Sequence, residues 1–216
     1  MNKLFLCVLS LLILTPIAAG LICRQSFTDI SKEDAPFNHF EVGLISENLA
    51  LNVKDYIEND LESESNYILK VTPADNVKFS FLCYTEPVKI LEVYKGDNLH
   101  SGDEIEILRN SSNIFWDMNN TDSVNMGFVN LMNPNEEYLV FLKDKISEKA
   151  IYKTVPCLMA TIFSYENHDN MIILKDGSEA SITSYQEVCN NEFFVSDAAA
   201  LNILEKEKNN LTQKFK

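Results

Sequence analysis

Two spacings of apolar residues share this chain. From Ser46, Leu49, Val53, Tyr56 and Ile57 fall at i, i+4, i+7 and i+8, which predicts a helix over 47–58 with one buried stripe. Glu58 to Ser65 is acidic and serine-bearing, a solvated connection. From Asn66 the spacing shortens to two. Tyr67, Leu69 and Val71 alternate with more polar neighbours, Pro73-Ala74-Asp75-Asn76 reads as a turn, and Val77, Phe79, Phe81 and Cys83 share one face of a returning strand. Pro87 cannot donate to a ladder and marks an edge or bulge. The strand resumes over Val88–Tyr94 and stops at Lys95-Gly96-Asp97-Asn98. After a turn at His100–Asp103, Ile105 and Ile107 alternate with Glu104 and Glu106, a half-buried strand. Asn110 to Asn135 is a long polar insertion around Trp116. Tyr138–Leu142 is apolar throughout, a strand covered on both faces. Leu158–Tyr165 and Met171–Leu174 read as a hairpin closed by 166–170. Ser196 is the expected cap of a last helix over 197–208, with Asp197 near its positive end. The sum is a mainly β domain, α+β at its ends: an antiparallel barrel or sandwich with a helix at each end.

The first residues change where this domain works. Lys3 gives a positive start, Leu4–Thr15 is almost unbroken aliphatic, and Pro16 breaks the helix before Ile17-Ala18-Ala19-Gly20, a small-residue cleavage pattern. Residues 1–20 therefore read as a signal peptide, 21–65 as an extended lead-in and helix, and 66–216 as the barrel with its C-terminal helix, one domain with 21–65. The protein is expected to be secreted, extracellular or at the cell surface. The alternative is an uncleaved anchor over residues 4–23, about the apolar length that spans a bilayer. A lipid-modified Cys23 is a further alternative, although Ile22 stands where a small residue normally precedes such a cysteine.

Removing residues 1–20 from 216 leaves 196, enough for one domain with a proper core. The net charge of −14 becomes −15 once Lys3 goes with the leader. That surface repels nucleic acid and anionic lipid, so no nucleic-acid partner is expected, and a membrane contact only through an uncleaved N-terminal segment. Cys7 lies in the leader, leaving Cys23, Cys83, Cys157 and Cys189. An even count in an exported domain reads as two disulfides, with three pairings open. Cys23–Cys83 and Cys157–Cys189 are preferred, because each would pin a peripheral segment to a strand. Two reduced pairs in an anchored protein is the alternative.

Ile90-Leu91-Glu92-Val93-Tyr94-Lys95-Gly96-Asp97, then Gly102-Asp103-Glu104-Ile105-Glu106-Ile107, and later Asn135-Glu136-Glu137-Tyr138-Leu139-Val140-Phe141-Leu142 form a recognisable set. Together they resemble the core of the netrin-like domain of tissue inhibitors of metalloproteinases and of bacterial exported proteins that share its pattern. The resemblance covers roughly residues 66–165. It implies an OB-type, netrin-like antiparallel β-barrel of five strands, flanked by an N-terminal and a C-terminal helix and held by disulfides. In that family an N-terminal cysteine chelates the protease zinc. Cys23 is the one candidate for that role, and Gln25 replaces the second cysteine of the family pattern.

Catalytic motifs are missing. The chain has no G-x-S-x-G elbow and no H-E-x-x-H. His39, His100 and His168 all read as surface residues in the lead-in, a turn and a loop. Cys157 with His168 could form a thiol–imidazole pair, but a disulfide role for Cys157 is preferred. Asp117, Asn119 and Thr121 take alternate calcium-ligand positions, yet Asp122 stands where an EF-hand needs Gly and Phe128 where it needs Glu. A weak, irregular calcium site is the remaining alternative to a plain polar loop. No catalytic residue, metal ligand or cofactor is assigned. Asn110, Asn119 and Asn210 begin glycosylation sequons, relevant only in a glycosylating host.

Two functions follow. The first is an exported, non-enzymatic binding module whose partner is an unknown extracellular protein or cell-surface component. Ile114, Phe115 and Trp116 in the long loop are the candidate partner surface, since loops carry function and Trp is favoured at hot spots; the alternative is that Trp116 only pins the loop to the barrel. The second is an exported enzyme without a recognisable motif. A protease-inhibitor-like protein is the third reading.

Overall fold

The computed structural model describes residues 12, 14–21, 40–80, 83–109, 124–125, 127–146, 149–174 and 181–216, with the backbone alone at 40, 79, 80, 83, 124, 125 and 181. Two compact units emerge, Met1–Pro36 and Phe37–Lys216. In the first, residues 12 and 14–21 are helical, and Leu12, Leu14, Ile17 and Leu21 are exposed. Pro16 does not break this helix as expected, because its ring-locked φ is also a helical φ. Among the described residues no helix is long and apolar enough to cross a membrane.

The second unit is built on a closed five-stranded barrel. Its strands are β2 (Tyr67–Pro73), β4 (Cys83–Lys95), β5 (Glu104–Arg109), β7 (Tyr138–Lys145) and β8 (Ile151–Thr154). They follow the order β2-β4-β5-β8-β7, and β7 pairs back onto β2. Every contact is antiparallel except β5–β8. Closure works because each strand alternates. Along β5, Ile105, Ile107 and Arg109 point inward while Glu104, Glu106 and Leu108 take the other face. Leu69, Val71, Val88, Ile90, Ile105, Ile107, Tyr138, Val140 and Leu142 meet in one interior core, as the spacing of two predicted for 105, 107, 140 and 142. Each such side chain contributes about 1.5–3 kcal/mol on burial. Side chains alone fill a barrel of this size.

The opposite face of β2 and β7 meets a second core. There Ile68, Leu139 and Phe141 pack against two helices, α1 (Glu47–Asn59) and the last helix, α4 (Ala198–Lys214). Ala50, Val53 and Ile57 form the buried stripe of α1, and Ala200, Leu204 and Leu211 that of α4. This second layer explains why Tyr138–Leu142 is apolar on both sides. The short helix α2 (Leu61–Glu64) drops Leu61 into the same core. A separate three-stranded sheet, β10-β1-β6, joins β1 (Phe40–Leu44), β6 (Val124–Asn125) and β10 (Ser181–Ser184), and the short helix α3 (Tyr185–Val188) follows β10.

Several expected elements are corrected. The strand after Pro73 does not return through Val77–Cys83. Instead β3 (Lys78–Ser80) folds back on β4 as a short hairpin, and β4 itself pairs with β2. Pro87 lies inside β4, where β2 ends opposite Val88, so its missing N–H leaves no ladder gap on that side. The hairpin of 158–165 with 171–174 is absent. β9 (Ile162–Ser164) spends its ladder on β7, and Ile172 bridges Val195. The last helix is capped by Asp197, one residue later than expected, with Ala200 N–H on Asp197 Oδ1 at 2.7 Å, and it continues to Lys214. At Lys95-Gly96 the chain turns as expected. Gly96 has φ +122°, and a Cβ there would collide with the Tyr67 ring.

Candidate functional site at one barrel end

One barrel end is filled with polar groups. Arg109 at the end of β5 and Glu86 in β4 form an ion pair of 2.8 Å, with side chains only 3% and 4% exposed. Both follow the inward parity of their strands, so alternation carries two charges into the mouth of an apolar barrel. Such a pair persists only when the remaining polar atoms are occupied. They are. Arg109 donates to the carbonyls of Val129 at 2.6 Å and Asn130 at 3.0 Å, and Glu86 Oε2 accepts the Met132 N–H at 3.0 Å. Burial pushes the Glu86 carboxyl above the usual carboxylate range, against the pull of Arg109 and that N–H.

The segment 128–133 crosses this end as a cover. Phe128 and Val129 anchor it in the helix-side core, and Met132 enters the barrel core. Asn130 ties the cover to the segment after α3. Its Nδ2 donates to the carbonyls of Cys189 and Asn191, at 2.8 and 2.6 Å, and its Oδ1 accepts from Tyr185 Oη at 2.9 Å. Burial pushes the Tyr185 phenol up to about 12.

Beside this cover lies a small cleft lined by Val129, Asn130, Leu131, Asn133, Tyr138, Ile162, His168, Asn191 and Glu192. It is partly open to solvent and encloses only about 10 Å³, about the space of one water and far below a small-molecule site. One carboxylate, Glu192, lines it, and a second, Glu136, contacts the lining residues Asn133, Tyr138 and His168. Glu136 Oε1 accepts from Asn133 Nδ2 at 3.1 Å, and its Oε2 from Tyr138 Oη at 2.8 Å and Ser164 Oγ at 3.3 Å. Glu192 accepts the Ser164 N–H at 2.8 Å and a charge-assisted bond from Lys208 of α4. Burial raises the Glu192 carboxyl, opposed chiefly by Lys208. The neighbouring Tyr138 phenol is also pushed well up by burial. His168 Nε2 sits 3.2 Å from Glu136 Oε2 and makes no hydrogen bond.

His168 is thus not the surface residue the sequence suggested; its side chain is 11% exposed, because the chain after β9 folds over the cleft. His100 is exposed in its turn, as expected, and His39 lies outside the described residues. The preferred Cys157–Cys189 bridge is absent. Both thiols are free: Cys157 is half-buried against the helix-side core beside Tyr56, whereas Cys189 is exposed after α3. Cys23 lies outside the described residues, and of Cys83 only the backbone is described, at the start of β4. Cys157 and His168 do not form the thiol–imidazole arrangement, since the Cys157 sulfur accepts from the N–H groups of Leu158 and Met159 while His168 faces Glu136. Burial pushes the Cys157 thiol up.

Ile114, Phe115, Trp116, Asn110 and Asn119 lie outside the described residues, as does the candidate calcium run of 117–122. Asn210 is exposed near the end of α4, and its sequon partner Thr212 bonds the Lys208 carbonyl at 2.9 Å within the helix. Among the described residues no three His, Cys, Asp or Glu side chains are grouped to hold a metal. Sequence reading missed Asn130, Glu136, Asn191 and Glu192. A signal existed: Asn130 interrupts the apolar run Phe128–Met132, and Asn191-Glu192 directly precede Phe193-Phe194-Val195. No protein-family model matches the chain, and no curated protein matches it in sequence.

Proposed function

We propose that this chain is an exported, non-enzymatic binding module on an OB-type, netrin-like barrel, with an extracellular protein or cell-surface component as partner. The strand connectivity supports the fold part. With the barrel strands numbered one to five along the chain, they close in the order 1-2-3-5-4, with the parallel contact between three and five. That connectivity suits a five-stranded Greek-key barrel of OB type.

One observation carries the non-enzymatic reading. Each carboxylate oxygen at the barrel end is already held by a donor of the fold: Glu86 by Arg109 and Met132, Glu136 by Asn133, Tyr138 and Ser164, and Glu192 by Ser164 and Lys208. A general acid or base needs a free oxygen facing a substrate-sized space. The cleft supplies neither. Glu86 and Glu136 hold the cover through Met132 and Asn133, and recognition falls to the loop that carries Ile114, Phe115 and Trp116 in the sequence.

The test is a pull-down with the mature protein from its own extracellular milieu, repeated with Trp116→Ala. Retention of one partner by the wild type and its loss in the folded variant support the reading. Turnover of a substrate that is abolished by Glu136→Gln overturns it in favour of an enzyme.

A further inference from the structure

We propose that residues Met171–Leu174 are an open sheet edge, which takes as an added strand an extended partner segment flanked by lysine or arginine. The segment lies outermost in the sheet of β1. Val195 bridges Ile45, just after β1, on one side and Ile172 on the other, both in parallel, and Ile173 N–H bonds the Val195 carbonyl at 3.2 Å. The Asn191 side chain holds Met171 at both backbone groups, with Oδ1 on its N–H at 2.9 Å and Nδ2 on its carbonyl at 2.7 Å. Residues 171 and 173 therefore turn their backbone groups inward. In an extended chain those of 172 and 174 point the opposite way. Among the described residues nothing bonds the N–H or the carbonyl of Ile172 or Leu174.

This edge carries none of the usual defences. Folded proteins blunt a free edge with charge, proline or very short strands, because its unpaired groups otherwise template another chain. Elsewhere in this fold β10 has serine at both ends, and the three-residue β3 opens with Lys78. Met171-Ile172-Ile173-Leu174 has no charge and no proline. Ile172 packs partly against the helix-side core, whereas Met171 is 54% and Leu174 83% exposed. Backbone pairing would supply affinity here, and the apolar side chains a preference for an apolar strand.

Charge selects the occupant. A second copy of a chain at −15 would bring like charge onto like charge. At the start of the edge Asp169 is exposed, and Glu205 of α4 accepts from Asn170 Nδ2 at 3.2 Å. Among the described residues no ion pair engages Glu166, Asp169 or Glu205. A strand with a basic residue at that end would meet these carboxylates. The surface is separate from the loop of Trp116, so it adds to the binding reading without resting on that loop.

Titration of the nitrogen-15-labelled mature protein with the peptide Lys-Val-Thr-Val-Thr-Val-Lys, followed by NMR, tests this. Expected are saturable shifts of the Ile172 and Leu174 amides and of 193–195, with a Kd of about 1 mM or tighter. Leu174→Pro removes an outward N–H that bonds nothing in the protein, so the fold should persist and binding weaken at least about tenfold. Of two analogues, one N-methylated at the valines and one at the threonines, one should bind and the other fail, since a strand pairs through one edge. The same peptide with Glu for both Lys should bind about threefold weaker or worse. Trp116→Ala should bind like the wild type, which separates this edge from the loop. No saturable shift, binding that survives Leu174→Pro, or equal binding of both analogues each overturns the added strand. Equal binding of the Glu-flanked peptide, or a dimer in sedimentation that Leu174→Pro dissolves, overturns the basic partner.

Discussion

Asp197 holds Glu47 from 150 residues away: its Oδ2 accepts the Glu47 N–H at 3.0 Å, while its Oδ1 accepts the Ala200 N–H at 2.7 Å. One carboxylate thus occupies donors in the first turns of α1 and α4, the two helices of the outer layer. Local capping and tertiary docking become the same contact. Asp197→Ala should cost about 2 kcal/mol, since a cap is worth roughly 0.5–2. Asp197→Asn keeps an oxygen for α4 and loses the acceptor for Glu47, so about 1 kcal/mol is expected. Urea unfolding of the three proteins measures both.

The buried pair at the barrel end should show strong coupling. Glu86→Gln or Arg109→Met alone strands a charge among apolar walls, and each should cost about 3–5 kcal/mol. The double variant should cost much less than the sum, because neither charge remains to be stranded. A double-mutant cycle by chemical denaturation checks this. Additive losses would mean that Glu86 and Arg109 are stabilised independently of each other.

The thiols predict a reactivity order. Exposed Cys189 should be alkylated promptly in the folded protein, and half-buried Cys157 only slowly. Because burial raises the Cys157 thiol, its alkylation should need a higher pH than an ordinary cysteine does. Peptide mapping after timed alkylation separates the two. A peptide pair that remains linked until reduction would restore the Cys157–Cys189 bridge.

Alkali should unfold this protein through its phenols. Burial pushes Tyr84 and Tyr185 up to about 12, and Tyr138 rises as well. A phenol raised in the folded state contributes stability that is complete below its unfolded value near 10 and is lost as pH rises through the folded value. The loss should therefore run from about pH 10 to about 12. Phenolate absorbance and circular dichroism followed together should change in step; phenolate appearing well below pH 10 with the fold intact would contradict this.

What could be read without coordinates is whatever depends on neighbours along the chain. The helix at 47, the turn at Gly96, the alternation of Ile105 and Ile107 and the doubly covered Tyr138–Leu142 all rest on local spacing, and each stands where it was expected. The candidate site was barely legible, because its parts carry no local signal of partnership. Glu136 and His168 are 32 positions apart, and Glu86 and Arg109 meet only through the β4–β5 register. Their types suit a solvated loop as well as a buried network.

The sequence by itself determined the two apolar spacings, the acidic surface and the absence of the common hydrolase motifs. Tertiary structure decided the rest. It chose β4 over Val77–Cys83 as the partner of β2, gave the ladder of β9 to β7, and left Cys157 and Cys189 apart. The reason is that strand pairing and charge burial are decided by competition among distant segments. Each strand takes a partner that buries its apolar face and pairs its backbone, and Arg109, Asn130 and Glu192 can be buried only where the folded chain brings donors and acceptors to them.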